Sequence, residues 1–122
     1  MSESKEQVRV VLEREKEAVA ERFGPWTAHN VHLGEGVYTR GPRVYGDEHR
    51  LRRVVQAVSD LIPEPADQLR VLDLGCLEGL YAIEFAARGA EVVGIEGRER
   101  NIERARFAQR ALGLERLELV LG

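Results

Sequence analysis

The residues in this sequence best placed to do chemistry are two acids and a glycine-rich turn. Asp73-Leu74-Gly75-Cys76-Leu77-Glu78-Gly79 closes the apolar run Arg70 to Leu74, and Glu96 ends a second apolar run 23 positions after Asp73. Glycine between a strand and a helix lets the chain turn sharply and lets a ligand approach the backbone. The free N–H groups of a helix start favour an anion such as a carboxylate. An acid at the tip of the neighbouring strand can accept hydrogen bonds from a ribose diol. A glycine turn and a strand-end acid in one crevice make a nucleoside-binding arrangement. A dinucleotide fingerprint, G-x-G-x-x-G, fails because Leu77 stands at its middle glycine, and this disfavours NAD.

Other residue types point to blander roles. Cys76 reads as a small buried residue, since no basic neighbour in sequence would make it a thiolate. His29, His32 and the distant His49 have no cysteine or carboxylate cluster at ligand spacing, so no metal is expected. Arg98, Arg100, Arg104, Arg106 and Arg110 crowd one predicted helix. Glu99 and Glu103 interleave with them, so a solvated, salt-bridged face is expected rather than an RNA contact.

The elements that must position the two acids are legible from periodicity. Arg70–Leu74, Glu91–Ile95 and Leu117–Leu121 read as strands. Between them, Glu78–Arg88 and Arg98–Leu112 have helical spacing and stop at Gly89 and Gly113. Strand, helix, strand, helix, strand implies right-handed βαβ units and a parallel sheet. Upstream, Ser4–Phe23 is predicted helical, with Ser2 or Ser4 as cap and Val8, Val11, Leu12, Val19 and Phe23 on one face. The stretch from Pro25 to Gly46 is Gly-rich, with room for a short strand at Val31 and Leu33. A second helix is predicted from Glu48 to Ile62, capped by Asp47, with Leu51, Val54, Val55, Val58, Leu61 and Ile62 as its apolar stripe. Pro63-Glu64-Pro65 ends it and marks the boundary between a helical and loop lead-in, 1–66, and a half-domain, 67–122.

Composition sets the outer limits. The chain has 122 residues, 43% apolar and 32% charged, which is the balance of one globular domain rather than a disordered chain. A net charge of -3 provides no general attraction to nucleic acid or anionic lipid. The single cysteine excludes an internal disulfide, and no apolar run reaches the ~20 residues that span a bilayer. A cytoplasmic location is the default expectation.

The turn Asp73 to Gly79, with Glu96 downstream, resembles motif I and the strand-end acid of class I, Rossmann-like methyltransferases that use S-adenosylmethionine (SAM). The resemblance runs from Leu69 to Gly122. It implies an α/β fold: a partial parallel sheet of about three strands, helices on its faces, preceded by the helical lead-in. It implies SAM as cofactor, with Gly75, Cys76, Leu77 and Gly79 lining its methionine part. Asp73 would fix the turn and the cofactor's amino group, Glu96 would take the ribose hydroxyls, and Gly97 and Arg98 would lie beside the adenine. Leu77 departs from the family's usual glycine. The lead-in residues Trp26, His29, Gly34, Gly36 and Tyr38 are similar to a segment that packs near the cofactor in some bacterial members.

A complete enzyme of this family has seven strands, and the fourth supplies substrate-facing and catalytic residues. The expectation is therefore the SAM-binding portion of a methyltransferase, inactive alone, with no catalytic residue or acceptor assigned. The alternative is a non-catalytic module that binds SAM or dimerises. In the family's strand order the first strand is central, so Val71, Leu72 and Leu74 would form a bare apolar edge. Such an edge invites pairing, so the chain is expected to be a fragment or a homo-oligomer.

Overall fold

A computed structural model describes residues 4–41 and 45–122, without the side chains of 45–48. The chain begins with α1 (Lys5–Phe23), followed by a small hairpin of β1 (His32–Gly34) and β2 (Val37–Tyr38), and then α2 (Tyr45–Leu61). After a short 3-10 turn at Ala66–Gln68 come β3 (Arg70–Leu74), α3 (Leu80–Ala87), β4 (Glu91–Glu96), α4 (Glu99–Leu112) and β5 (Leu117–Leu121). The predicted alternation from Arg70 onward is present throughout. Among the described residues, no helix is long and apolar enough to cross a membrane.

Local chemistry sets several boundaries. Ser4 caps α1: its side chain accepts from the Gln7 N–H at 3.1 Å, and its own N–H donates to the Gln7 side chain at 2.8 Å. This reciprocal box satisfies two donors that the first helical turn would otherwise leave free. Ser2 lies outside the described residues. α2 is already formed at Tyr45, ahead of Asp47, whose predicted cap lies outside the described side chains. The short strand expected at Val31 and Leu33 is present as the first arm of the hairpin but begins at His32, one residue after Val31; Val31 and Leu33 are both buried.

β3, β4 and β5 form a parallel sheet in that order, with Asp73 beside Gly94 and Glu96 beside Leu121. Two right-handed crossovers that step the same way put both connecting helices on one face. That covered face carries Val71, Asp73, Val92, Gly94, Glu96, Leu117 and Leu119. Gly94 is required there: a Cβ would stand 3.0 Å from Leu119 and 3.1 Å from the Cys76 sulfur. Ile102, Ala105 and Ala108 of α4 close the core. Leu12, Trp26, Val31, Leu33 and Val37 of the lead-in join the same cluster, with the Trp26 ring edge-on to Phe107 at 5.7 Å.

The opposite face is open. Leu72 pairs in register with Val93, and Leu74 with Ile95, which in turn pairs with Val120. Leu72 is 61% and Leu74 71% exposed. The outer edge of β3 has no strand partner among the described residues, as the sequence led one to expect. The apolar exposure, however, belongs to the open face as much as to the edge, because Val71 turns to the covered side. Two predicted helical stripes are also only partly buried. Val11 on α1 is exposed, as are Val54, Leu61 and Ile62 at α2, while Leu51, Val55 and Val58 pack against the core.

These environments predict opposite responses to truncation. Ile102→Ala, at a fully buried site, should lower unfolding free energy in urea by about 2–5 kcal/mol. Leu74→Ser should change it by no more than ~0.5 kcal/mol.

Candidate functional site

The turn after β3 is held against the end of β4. The N–H groups of Gly75 and Cys76 both donate to the Ile95 carbonyl, at 2.8 and 2.9 Å. Gly75 has φ +73° and Gly79 φ +87°, a region that side chains other than glycine enter only with strain. At Gly79 a Cβ would lie 3.1 Å from the Ala105 Cβ, so glycine also lets α3 start close against α4. At Gly75 a Cβ would meet nothing within 4 Å, which leaves open space beside bare backbone. Leu77 takes φ +53°, a conformation that glycine adopts freely and that costs a side chain about 1–2 kcal/mol.

The two acids sit at adjacent strand ends, and their pKa values are displaced in opposite directions. Burial raises the Asp73 pKa above the usual carboxylate value, against the lowering electrostatic effect of nearby His29 and the hydrogen bond from the Ala82 N–H. One Asp73 oxygen, Oδ2, is buried and has no hydrogen-bond partner. Burial also opposes the charge on Glu96, but hydrogen bonds from Asn101, the Leu77 N–H and the Arg98 N–H, with the Arg98 charge, outweigh it and lower its pKa. Those bonds measure 2.9, 3.2 and 3.2 Å. Cys76 is 1% exposed, and burial plus the Asp73 and Glu96 charges push its thiol up to about 12. It packs as a small neutral residue, in keeping with its sequence reading. Gly97 and Arg98 follow Glu96 on the exposed rim.

A third acid, Glu78, was part of the motif but carried no role in the sequence reading. It is fully buried and accepts four hydrogen bonds. Three come from the consecutive N–H groups of Thr27, Ala28 and His29, at 3.0, 2.9 and 2.7 Å. The fourth comes from Arg104 Nη1 at 2.9 Å. Arg104 also donates to the carbonyls of Gly24 and Phe23, at 3.0 and 2.7 Å, and to Asn101 Oδ1 at 3.1 Å. The solvated arginine face therefore needs correction: Arg104 is 3% exposed and lies inside the packed side of α4. The signal was present in the spacing of Asn101, Arg104 and Ala108, which share a helical face with Ile102 and Ala105. Arg106 does pair at the surface, with Glu103 at 2.6 Å.

The histidines are dispersed. His29 is buried, and its Nδ1 accepts from the Leu80 N–H at 3.2 Å, which satisfies a donor at the start of α3. His32 stacks on Tyr38, and His49 is exposed on α2. Among the described residues, no three His, Cys, Asp or Glu side chains gather as metal ligands.

Comparison with known proteins gives this geometry a context. Residues 65–122 match a family model described as a methyltransferase domain. The chain is 50% identical over 52 residues to a ubiquinone biosynthesis O-methyltransferase of Roseobacter denitrificans, which covers 43% of this chain and 21% of that protein. It is 44% identical over 64 residues to the 23S rRNA (uracil(1939)-C(5))-methyltransferase RlmD of Shewanella halifaxensis, covering 52% of this chain and 14% of that one. The crystal structure of the N-terminal domain of EvdMO1 in the presence of SAH and D-fucose superposes with a TM-score of 0.63 and 28% identity, over 90% of this chain and 44% of that one. The chain thus spans about a fifth or less of these curated relatives and under half of the solved domain.

Two measurements check the site's construction. Arg104→Ala leaves the Glu78 charge buried and unpaired and should lower unfolding free energy by about 3–5 kcal/mol. In the folded protein at pH 8, Cys76 should resist iodoacetamide, because almost none of it is thiolate; it should label readily in urea.

Proposed function

From the premise that residues 65–122 have the fold of a class I SAM-dependent methyltransferase, we propose that this chain binds SAM at the carboxyl ends of β3 and β4. The observation that carries the reading is Asp73 Oδ2, a buried carboxylate oxygen without a partner, beside the open backbone of Gly75. A buried acceptor left unsatisfied is unfavourable, and the cofactor's ammonium group is a donor of the right charge for it. Glu96 fits the ribose, since its carboxylate keeps acceptor capacity beyond the three bonds it already receives. The turn from Gly75 to Gly79, with Cys76 and Leu77, borders the methionine part, and Gly97 and Arg98 border the adenine. When bound, SAM supplies an activated methyl group on a sulfonium.

The acceptor is not assigned. The two curated relatives differ in what they methylate, an oxygen in one and a uracil carbon in the other. What this segment shares with both is therefore cofactor handling, and methyl transfer is a property of the longer proteins. In this reading residues 67–122 hold the cofactor, and the lead-in residues Phe23 to His29 brace the turn through Glu78 and Arg104. A second reading, a SAM-binding module that self-associates, is favoured by exposed Leu72 and Leu74 and the unpaired edge of β3.

Calorimetry with SAM, SAH and NAD tests the first reading. SAM and SAH should bind and NAD should not; absence of heat from both adenosyl ligands at millimolar concentration would overturn it. Asp73→Asn and Glu96→Ala should each weaken SAH binding by roughly 1–3 kcal/mol. Because the Asp73 pKa is raised, SAH affinity should fall on acidification at a higher pH than an ordinary aspartate would give. Light scattering decides the second reading, which a stable monomer excludes.

A further inference from the structure

The buried polar side chains around the turn do not form separate pairs. They form one chain of hydrogen bonds that runs from the lead-in to the strand-end acid. Glu78 receives Arg104 Nη1, Arg104 Nη1 donates to Asn101 Oδ1, and Asn101 Nδ2 donates to Glu96 Oε2. All four residues are buried, at 0%, 3%, 8% and 5% exposure in that order. Arginine can only donate and an ionised carboxylate can only accept. Asn101 therefore has one workable orientation, with its oxygen toward Arg104 and its amide nitrogen toward Glu96.

This orientation decides which part of Glu96 is left for a ligand. An ionised carboxylate offers about four lone-pair sites. Oε2 uses two, for Asn101 and the Arg98 N–H, while Oε1 uses one, for the Leu77 N–H at 3.2 Å. A single acceptor position on Oε1 remains. Without Asn101 the carboxylate keeps only the bonds from the Leu77 and Arg98 N–H groups, both at 3.2 Å, and could turn about its last torsion, which is broad.

We propose that Asn101, held by the Glu78–Arg104 pair, is a positioning residue that fixes Glu96 so that Oε1 accepts one ribose hydroxyl, and that it thereby sets the site's selectivity for the intact ribose. The proposal rests on the SAM-binding reading and deepens it. Asn101 does not touch the ligand; it acts through Glu96. A residue needed only for folding would weaken all ligands alike. A positioning residue changes the ratio between ligands that have and lack the accepted hydroxyl.

The test compares binding of SAH, 2′-deoxy-SAH and 3′-deoxy-SAH to the wild-type chain, Asn101→Asp and Asn101→Ala. Asn101→Asp keeps the shape and the acceptor for Arg104 but removes the donor to Glu96. Asn101→Ala removes both and favours the helix, so at least one variant should fold, as thermal unfolding will show. In the wild type, one deoxy ligand should bind roughly tenfold or more weakly than SAH, as expected when a polar group is left unpaired. In the folded variants that ratio should shrink to within about twofold. Wild-type selectivity retained in a folded variant overturns the positioning role and leaves the SAM reading intact. SAH binding without any preference among the three overturns the ribose role of Glu96 and this inference with it, and absence of SAH binding overturns the SAM reading as well.

Discussion

The ion pair between Glu78 and Arg104 is the contact on which the rest of the site depends. Two charges at 0% and 3% exposure have lost their water, and such a pair is tolerable only when its remaining donors and acceptors are filled. Here they are filled largely by backbone. The N–H groups of Thr27, Ala28 and His29 converge on Glu78, and the carbonyls of Phe23 and Gly24 receive Arg104. A pair of side chains in the half-domain thus fixes the path of the lead-in over residues 23–29. The close pass even constrains Gly24, where a Cβ would stand 2.7 Å from the Arg104 guanidinium. The turn after β3, the start of α4 and the lead-in are in this way one polar unit set into an apolar core.

The sheet supplies the frame but completes only one side. Both crossovers put their helices on the same face, so that face is packed to closure around Ile102 and Val92. The other face keeps Leu72, Leu74, Val93, Ile95 and Val120 side by side with nothing above them among the described residues. Apolar area of this kind is unfavourable in water. The site lies at the strand tips, on the side of the sheet that is closed. Its hydrogen bonds come from the turn after β3, from β4, α3 and α4, and from the lead-in, all on that side.

How much was legible in the sequence follows from which forces were local. The strands at Arg70–Leu74 and Leu117–Leu121 were readable to the residue, because short apolar runs bounded by turn signals leave little freedom. The glycine turn was readable because positive φ at Gly75 and Gly79 demands that residue type. Glu96 was readable from its distance to the turn. Glu78 and Arg104 were not. Apart from Asn101, their partners lie between 26 and 81 positions away in sequence, and a charged residue is ordinarily at the surface. Reading every arginine of α4 as solvated followed that rule and failed at the one whose spacing matched the buried face. The exposed half of the α2 stripe escaped for a related reason: periodicity marks an apolar face but does not say what covers it.

The two strand-end acids show how one crevice can offer two kinds of recognition. Asp73 is underprovided with donors: burial raises its pKa and leaves Oδ2 unpartnered. A cation that brings both charge and N–H donors relieves both deficits at once. Glu96 is amply provided, with three donors and a lowered pKa. Divergent environments of neighbouring carboxylates separate their roles in the way that paired acids in active sites are commonly separated. The division rests on Asn101, which donates to Glu96 and contributes nothing to Asp73. The environment of Glu96 is therefore set in part from α4, by a residue buried behind it.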